Sequence, residues 1–317
     1  MSKPVLLTGV KPTGELHIGN YFGALRQLVE LQEKYQCYIF IPDYHALTTS
    51  HSQRHPEEVR ESIKHLALGY LAIGLDPAKI VLFQQSKVHE HTELAWLFNC
   101  ITTMPYLMRA HAYKDAEAKN KEISVGVFDY PMLMAADILL YDPAVVPVGK
   151  DQQQHVEIAR DTAQKFNALY GDIFTIPEAL ITEEVATVPG TDGRKMSKSY
   201  GNTIPLFASR DELAKAVMSI VTDSSGDKPE HVFAIHRLVK PEGELMSLYE
   251  MHRGRYKELK EALIEDLDAY FAPIRARYEE LSGDPAAVER ILEEGAEKAR
   301  AVAGAKMEKV HKAIGVA

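Results

Sequence analysis

Four short apolar, β-rich runs punctuate the first half of the chain: Val5-Leu6-Leu7-Thr8, Tyr38-Ile39-Phe40-Ile41, Ile80-Val81-Leu82-Phe83 and Val145-Val146-Pro147-Val148. Between them lie longer segments with apolar residues at helical spacing, such as Leu25, Leu28, Val29 and Leu31. Runs that are apolar throughout, rather than alternating, suit strands buried on both faces, and their alternation with helices predicts an α/β fold built on a parallel sheet. The pattern stops near residue 205. From Arg210 onward no strand signal remains, and Lys257 to Tyr278 and Pro285 to Ile314 carry helical periodicity, with Leu259, Leu263, Leu267 and Tyr270 on one stripe. The expectation is an α/β domain over residues 1–205 and an all-helical domain over 206–317, which fits a length of 317 residues.

Composition excludes several classes. With 46% hydrophobic and 26% charged residues the chain reads as globular, and no stretch approaches the roughly 18 consecutive apolar residues of a membrane span. The N-terminal Met1-Ser2-Lys3-Pro4-Val5 leads straight into a strand without a cleavable leader pattern. Cys37 and Cys100 are the only cysteines, too few for a disulfide scaffold or a Cys-based zinc site, so a cytoplasmic setting is expected. A net charge of −9 argues against nonspecific coating of nucleic acid, but not against a selective enzyme whose local field differs from the total.

The first strand runs into Thr8-Gly9-Val10-Lys11-Pro12-Thr13-Gly14 and then Glu15-Leu16-His17-Ile18-Gly19-Asn20. Glycines at the carboxyl edge of a parallel sheet let backbone approach a ligand, and a helix starting near Ile18 aims free N–H groups at the same crevice. His17 and Asn20, three apart, can face one spot from the first turn. Alone, this segment reads equally as a tight strand–helix turn with a capping histidine. A second segment, Gly193-Arg194-Lys195-Met196-Ser197-Lys198-Ser199, sets two lysines and two serines on a glycine-bounded loop. That arrangement suits a mobile cationic clamp on a polyphosphate, able to stabilise charge on a leaving pyrophosphate.

Together these segments resemble the two signatures of the class I aminoacyl-tRNA synthetases. Gly19-Asn20-Tyr21-Phe22-Gly23-Ala24-Leu25-Arg26-Gln27, Asp43-Tyr44-His45-Ala46-Leu47-Thr48, Tyr130-Pro131-Met132-Leu133-Met134-Ala135-Ala136-Asp137-Ile138-Leu139-Leu140 and Val146-Pro147-Val148-Gly149-Lys150-Asp151-Gln152 narrow the resemblance to the bacterial-type tryptophanyl enzymes. It is dense over 1–205 and looser beyond. The resemblance implies a Rossmann-like nucleotide-binding domain, an anticodon-reading helical domain, and activation of L-tryptophan by ATP before transfer to tRNA(Trp). His17, Asn20, Lys195 and Lys198 match the catalytic positions. Lys11, Pro12, Thr13, Gly19, Asn20, Gly149, Lys150, Asp151, Val188, Lys195, Met196, Ser197, Lys198 and Ser199 match segments that contact ATP, and Mg²⁺ would arrive with the nucleotide. Two positions depart from the family pattern: lysine stands at 11 where many members have glutamine, and Gly254-Arg255-Tyr256 replaces a fuller Gly-Tyr-Gly stretch.

Tyr130, Met134 and Asp137 are spaced to share one helix face. A carboxylate there can accept the N–H of an indole, which donates and does not accept, and Met134 supplies a polarizable wall. A buried helix with a satisfied Asp137 is the structural alternative. In the resembled family these positions line the amino-acid site, with Val146 and Val148 opposite, Gln152 and Tyr130 toward the substrate ammonium, and His45 and Asp43 in support. Tyrosine is the rival substrate, since a phenol also donates; tyrosyl enzymes of the family carry glutamine where Met134 stands, which favours tryptophan. A non-catalytic paralogue is disfavoured by the intact signatures, and a dehydrogenase by the lack of G-x-G-x-x-G after the first strand.

The resemblance further implies a homodimer formed through residues 88–130, where Trp96, Leu97, Phe98, Met104, Tyr106 and Leu107 read as exposed apolars. Lys298, Arg300, Lys306, Lys309 and Lys312 give the last helix a basic face for tRNA phosphates, or simply a solvated one.

Overall fold

The computed structural model describes residues 3–12, 14–48, 55–118, 123–149, 152–181, 188–222 and 228–316. Its frame is a five-stranded sheet, β1 (Val5–Gly9), β2 (Gln36–Ile41), β3 (Ile80–Gln84), β4 (Val145–Val148) and β5 (Glu178–Ile181), in the order β3-β2-β1-β4-β5 with every pair parallel. The four strands expected from sequence are present. β5 escaped notice because Glu178-Ala179-Leu180-Ile181 is half exposed at a sheet edge and lacks the continuous apolar run of a central strand.

The helices are α1 (Ile18–Asn20), α2 (Arg26–Leu31), α3 (Asp43–Ala46), α4 (Pro56–Ala72), α5 (Glu90–Ile101), α6 (Met104–Leu107), α7 (His111–Ala118), α8 (Val125–Leu139), α9 (Gln153–Tyr170), α10 (Arg210–Met218), α11 (Glu230–His236), α12 (Glu242–Met251), α13 (Tyr256–Ser282) and α14 (Pro285–Ile314). A π-helical turn, Tyr21–Leu25, joins α1 to α2. The order in which strands are added reverses between β1 and β4, and ligands bind α/β sheets in the crevice at the carboxyl ends of such a pair.

The stripe predicted for the long helix is its packing face: Leu259, Leu263 and Leu267 are fully buried. Each such leucine contributes roughly 1.5–3 kcal/mol by leaving water. α13 runs against α4 and places Tyr270 and Phe271 on Tyr21 and Phe22 of the π-turn, with ring centroids 5.5–6.2 Å apart. α14 instead returns to the sheet. It lies along β3 so closely that a Cβ on Gly295 would stand 1.8 Å from the Leu82 carbonyl oxygen, and Ala296, Ala299 and Ala303 share a core with Leu7, Tyr38 and Phe83.

That packing corrects the expected basic face. Lys306 is buried, donating to the Ile173 carbonyl (2.9 Å) and pairing with Asp142 (2.5 Å). Arg300 donates to the Lys87 carbonyl and to Glu293, both at 2.9 Å. Lys298, Lys309 and Lys312 remain exposed. In the 88–130 segment, Trp96 and Met104 are 68% and 63% exposed as expected, but Phe98 and Leu107 are buried inside their own chain, because α5 packs on α8 and α9, and α6 packs on α8. Among the described residues no helix is long and apolar enough to cross a membrane.

Candidate active site

The first signature begins as a helix start that completes itself. Asn20 N–H donates to His17 Nδ1 (3.2 Å), and His17 N–H donates to Asn20 Oδ1 (3.1 Å), a reciprocal capping box. The capping reading of His17 is therefore true, and it carries a chemical consequence. With Nδ1 accepting, the proton of the neutral ring sits on Nε2. Burial, and then the charge of Lys198, push the His17 pKa down to about 4, so it remains a neutral donor near neutral pH.

The second signature is held against the first by backbone pairing. Ile18 N–H donates to the Ile204 carbonyl (3.0 Å) and Leu206 N–H to that of Leu16 (2.9 Å). The loop itself is a closed hairpin: Met196 N–H reaches the Val188 carbonyl (2.9 Å), and the turn is made by Gly193 at φ +82°, a backbone state glycine adopts without strain. Buried Asn202, unflagged by sequence reasoning, ties it together. Its Oδ1 accepts from Ser197 N–H (2.8 Å), and its Nδ2 donates to Asp192 (2.6 Å) and the Lys195 carbonyl (3.2 Å). Lys195, Lys198 and Ser199 stay exposed, and the Ser197 and Ser199 hydroxyls are 2.9 Å apart. Val188 and Met196 point into the core, leaving only backbone for a ligand. The backbone of the lysine loop is thus tied through Met196 to Val188 and through Ser197 to Asn202.

At the β1–β4 crevice lies a cavity of about 760 Å³, lined by β1 and the loop after it (Leu7 to Lys11), by Phe40, Pro42 and His45, by Tyr130, Met134, Asp137 and Ile138 of α8, and by Val146, Val148, Gln152 and His155. Every residue assigned from sequence to the amino-acid site faces it except Asp43. That carboxylate instead accepts Ser86 N–H (3.0 Å) and Gln84 Nε2 (2.7 Å), bracing the end of β3. Pro12 is buried beside the mouth, Gly149 caps the turn into Gln152 (2.9 Å), and Thr13, Lys150 and Asp151 lie outside the described residues. Lys11 is half-buried with its Nζ 5.7 Å from the centre of the Tyr130 ring, and burial lowers its pKa. It lines the cavity rather than pointing into solvent.

Asp137, 1% exposed, is the polar centre of the cavity floor. Its Oδ2 accepts from His45 Nε2 (2.7 Å); its Oδ1 accepts from Gln85 Nε2 (2.7 Å) and His91 Nδ1 (2.6 Å). His91 Nε2 in turn meets the Tyr141 hydroxyl at 2.8 Å. Burial alone would raise the Asp137 pKa; His45 and His91 outweigh it and hold the carboxyl at about 2. Gln85 and His91 were missed because each is an ordinary polar residue at a helix start; only their convergence on Asp137, 52 and 46 positions away, reveals them.

The chain that builds this crevice and cavity matches a family model over residues 2–274, that of tRNA synthetases class I (W and Y). The tryptophan–tRNA ligase of Campylobacter jejuni is 48% identical over 320 residues, covering 98% of this chain and 99% of its own, and that of Fusobacterium nucleatum is 46% identical over 319 residues, covering 98% and 97%. The chain belongs to the tryptophan–tRNA ligase family of class I synthetases. A crystal structure of the tryptophanyl-tRNA synthetase from Campylobacter jejuni complexed with ADP and tryptophan superposes with a TM-score of 0.91 at 47% identity, covering 98% of this chain and 99% of that one. The ligase family fold is thus the Rossmann-like one expected, and the two family signatures meet across the Leu16–Ile18 and Ile204–Leu206 pairing.

Proposed function

We propose that the chain activates L-tryptophan with ATP, giving tryptophanyl-adenylate and pyrophosphate, and passes the tryptophanyl group to the 3′ end of tRNA(Trp). The observation that carries this reading is the single ionised carboxylate, Asp137, at the floor of an otherwise largely apolar cavity. An indole fills such a space and presents one N–H to the acceptor.

In this reading the tryptophan carboxylate attacks the α-phosphorus of ATP, so no protein nucleophile is required, and catalysis consists of positioning and charge stabilisation. Tyr130 and Gln152 orient the ammonium, while Lys11 stands near the α-phosphate. His17 donates as a neutral imidazole, Asn20 and Gly19 form the floor, and Lys195 and Lys198 follow the charge onto pyrophosphate. Thr13, Gly149, Lys150, Asp151, Val188, Met196, Ser197 and Ser199 complete the nucleotide contacts. Among the described residues no group of three His, Cys, Asp or Glu side chains is placed to hold a metal ion. Mg²⁺ is read as arriving on the ATP phosphates, which suit a cation that keeps most of its water.

The α/β domain over 1–205 is read as catalytic and the helices over 206–317 as the anticodon-binding part, with exposed Trp96, Met104, Met108 and Val125 as a homodimer surface and a cytoplasmic setting. Tryptophan-dependent ATP–pyrophosphate exchange is the test. Exchange with tryptophan and not tyrosine is expected; exchange driven by tyrosine alone would overturn the substrate assignment.

A further inference from the structure

Asp137 is surrounded by more donors than a substrate carboxylate acceptor needs. A carboxylate offers about four lone-pair sites. Gln85 and His91 take both on Oδ1, and His45 takes one on Oδ2. One site remains, and it belongs to Oδ2, the oxygen that His45, another cavity-lining residue, contacts.

We infer that Gln85 and His91 are specificity-determining positioning residues: by saturating Oδ1 they leave Asp137 a single open acceptor position, so the site takes a ring that only donates. This inference rests on the tryptophan reading above. The count distinguishes indole from phenol. An indole N–H uses the open position and has no lone pair in the ring plane that needs a partner. A phenol also donates there, but its oxygen then needs a donor, and the His45 Nε2–H that shares Oδ2 is already spent on that oxygen. Leaving a buried acceptor unsatisfied is what rejects it.

The chemistry of His91 follows from its two partners. Facing a carboxylate, Nδ1 carries the proton; Nε2 of the neutral ring then accepts from the Tyr141 hydroxyl. Tyr141 is itself buried and stacked on Tyr38, with ring centroids 4.9 Å apart. The ring is therefore fixed in one tautomer and one orientation, and it holds the carboxylate in turn. Gln85 is oriented at its other end, where its Oε1 accepts Tyr44 N–H at 3.2 Å.

The experiment compares adenylate formation by the full-length enzyme with L-tryptophan and with L-3-(3-benzothienyl)alanine, in which sulfur replaces the ring N–H at nearly constant shape. Wild type is expected to prefer tryptophan by about ten- to a hundredfold in kcat/KM, the range for a hydrogen bond to a charged group. In His91→Leu that preference should fall at least fivefold through loss on tryptophan, with the analogue nearly unchanged. His91→Asn, which keeps a donor near the Nδ1 position, should restore most of it. General damage to the fold would lower both substrates alike and leave the ratio intact, and that result overturns the inference. Should His91→Leu fail to fold, Gln85→Met removes the other Oδ1 donor and must lower the same ratio. A wild-type enzyme that does not prefer tryptophan over the analogue would instead overturn the indole–Asp137 reading itself.

Discussion

Gly19 and Met196, 177 positions apart, are in contact across the two signatures: a Cβ on Gly19 would stand 3.3 Å from Met196 Cβ and 2.9 Å from His17 Nδ1. The missing side chain is what lets the lysine hairpin close on the helix that begins at His17.

Gly19→Ala is therefore expected to push the hairpin away. Overpacking of this kind costs about 1–3 kcal/mol, and the displaced lysines should lower the rate of adenylate formation about tenfold or more. Stopped-flow activation at saturating substrates measures it, and a rate within twofold of wild type would mean that the contact does not position the lysines.

Asn202→Ala should act in the same direction from beneath. It removes the acceptor for Ser197 N–H and the donor to the Lys195 carbonyl, so the loop backbone loses its pin. The expected loss falls on kcat for activation more than on the KM for ATP, since the charges matter most in the transition state. A pure KM effect would contradict that assignment.

Lys198→Ala should raise the His17 pKa. Burial, the larger cause of its depression to about 4, remains; the adjacent positive charge, the smaller one, is removed. The sign for stability follows from linkage. Because the folded pKa lies below the unfolded value near 6.5, the contribution of neutral His17 is full above pH 6.5 and is lost as pH falls toward 4. Imidazole proton titration by NMR should place wild-type His17 well below the other histidines and shift it upward in Lys198→Ala. No upward shift would remove Lys198 from its surroundings.

Lys11→Gln should lower kcat for activation at saturating ATP, with the loss persisting at high salt, because the ammonium sits in the cavity over Tyr130 and is shielded from ions. If only apparent ATP affinity changes, and that change fades as salt rises, Lys11 acts by steering alone.

Trp96 is the only tryptophan in the chain and is 68% exposed. In a homodimer that covers α5 its emission should lie to the blue and move red on dilution through the dissociation range, in step with light scattering. A 35.5 kDa mass at micromolar concentration would end the dimer proposal.

Much of this arrangement was legible before any coordinates. Continuous apolar runs marked four of the five strands, and the spacing of Tyr130, Met134 and Asp137 put three side chains on one wall of a cavity. What stayed hidden shares one physical cause. Gln85, His91, Asn202 and Lys306 act through contacts made across 5 to 164 positions, and a polar residue paired outside any helical or strand period leaves no periodic trace. Lys306 shows the cost: on a helix wheel it belongs to a basic face, and only the packing of α14 on the sheet turns it inward.

The seating of Gly295 on Leu82 has a consequence for how the molecule is made. β3 leads directly into Gln85, which holds Asp137, yet the helix covering β3 is synthesised long after it. Until about residue 310 has emerged, the strand's outer surface faces water and its carboxyl end lacks its final support. The amino-acid pocket, though built almost entirely from the first half of the chain, therefore matures only once α14 has docked, and a nascent or truncated chain ending at α13 would carry both signatures while its indole acceptor is still loosely held.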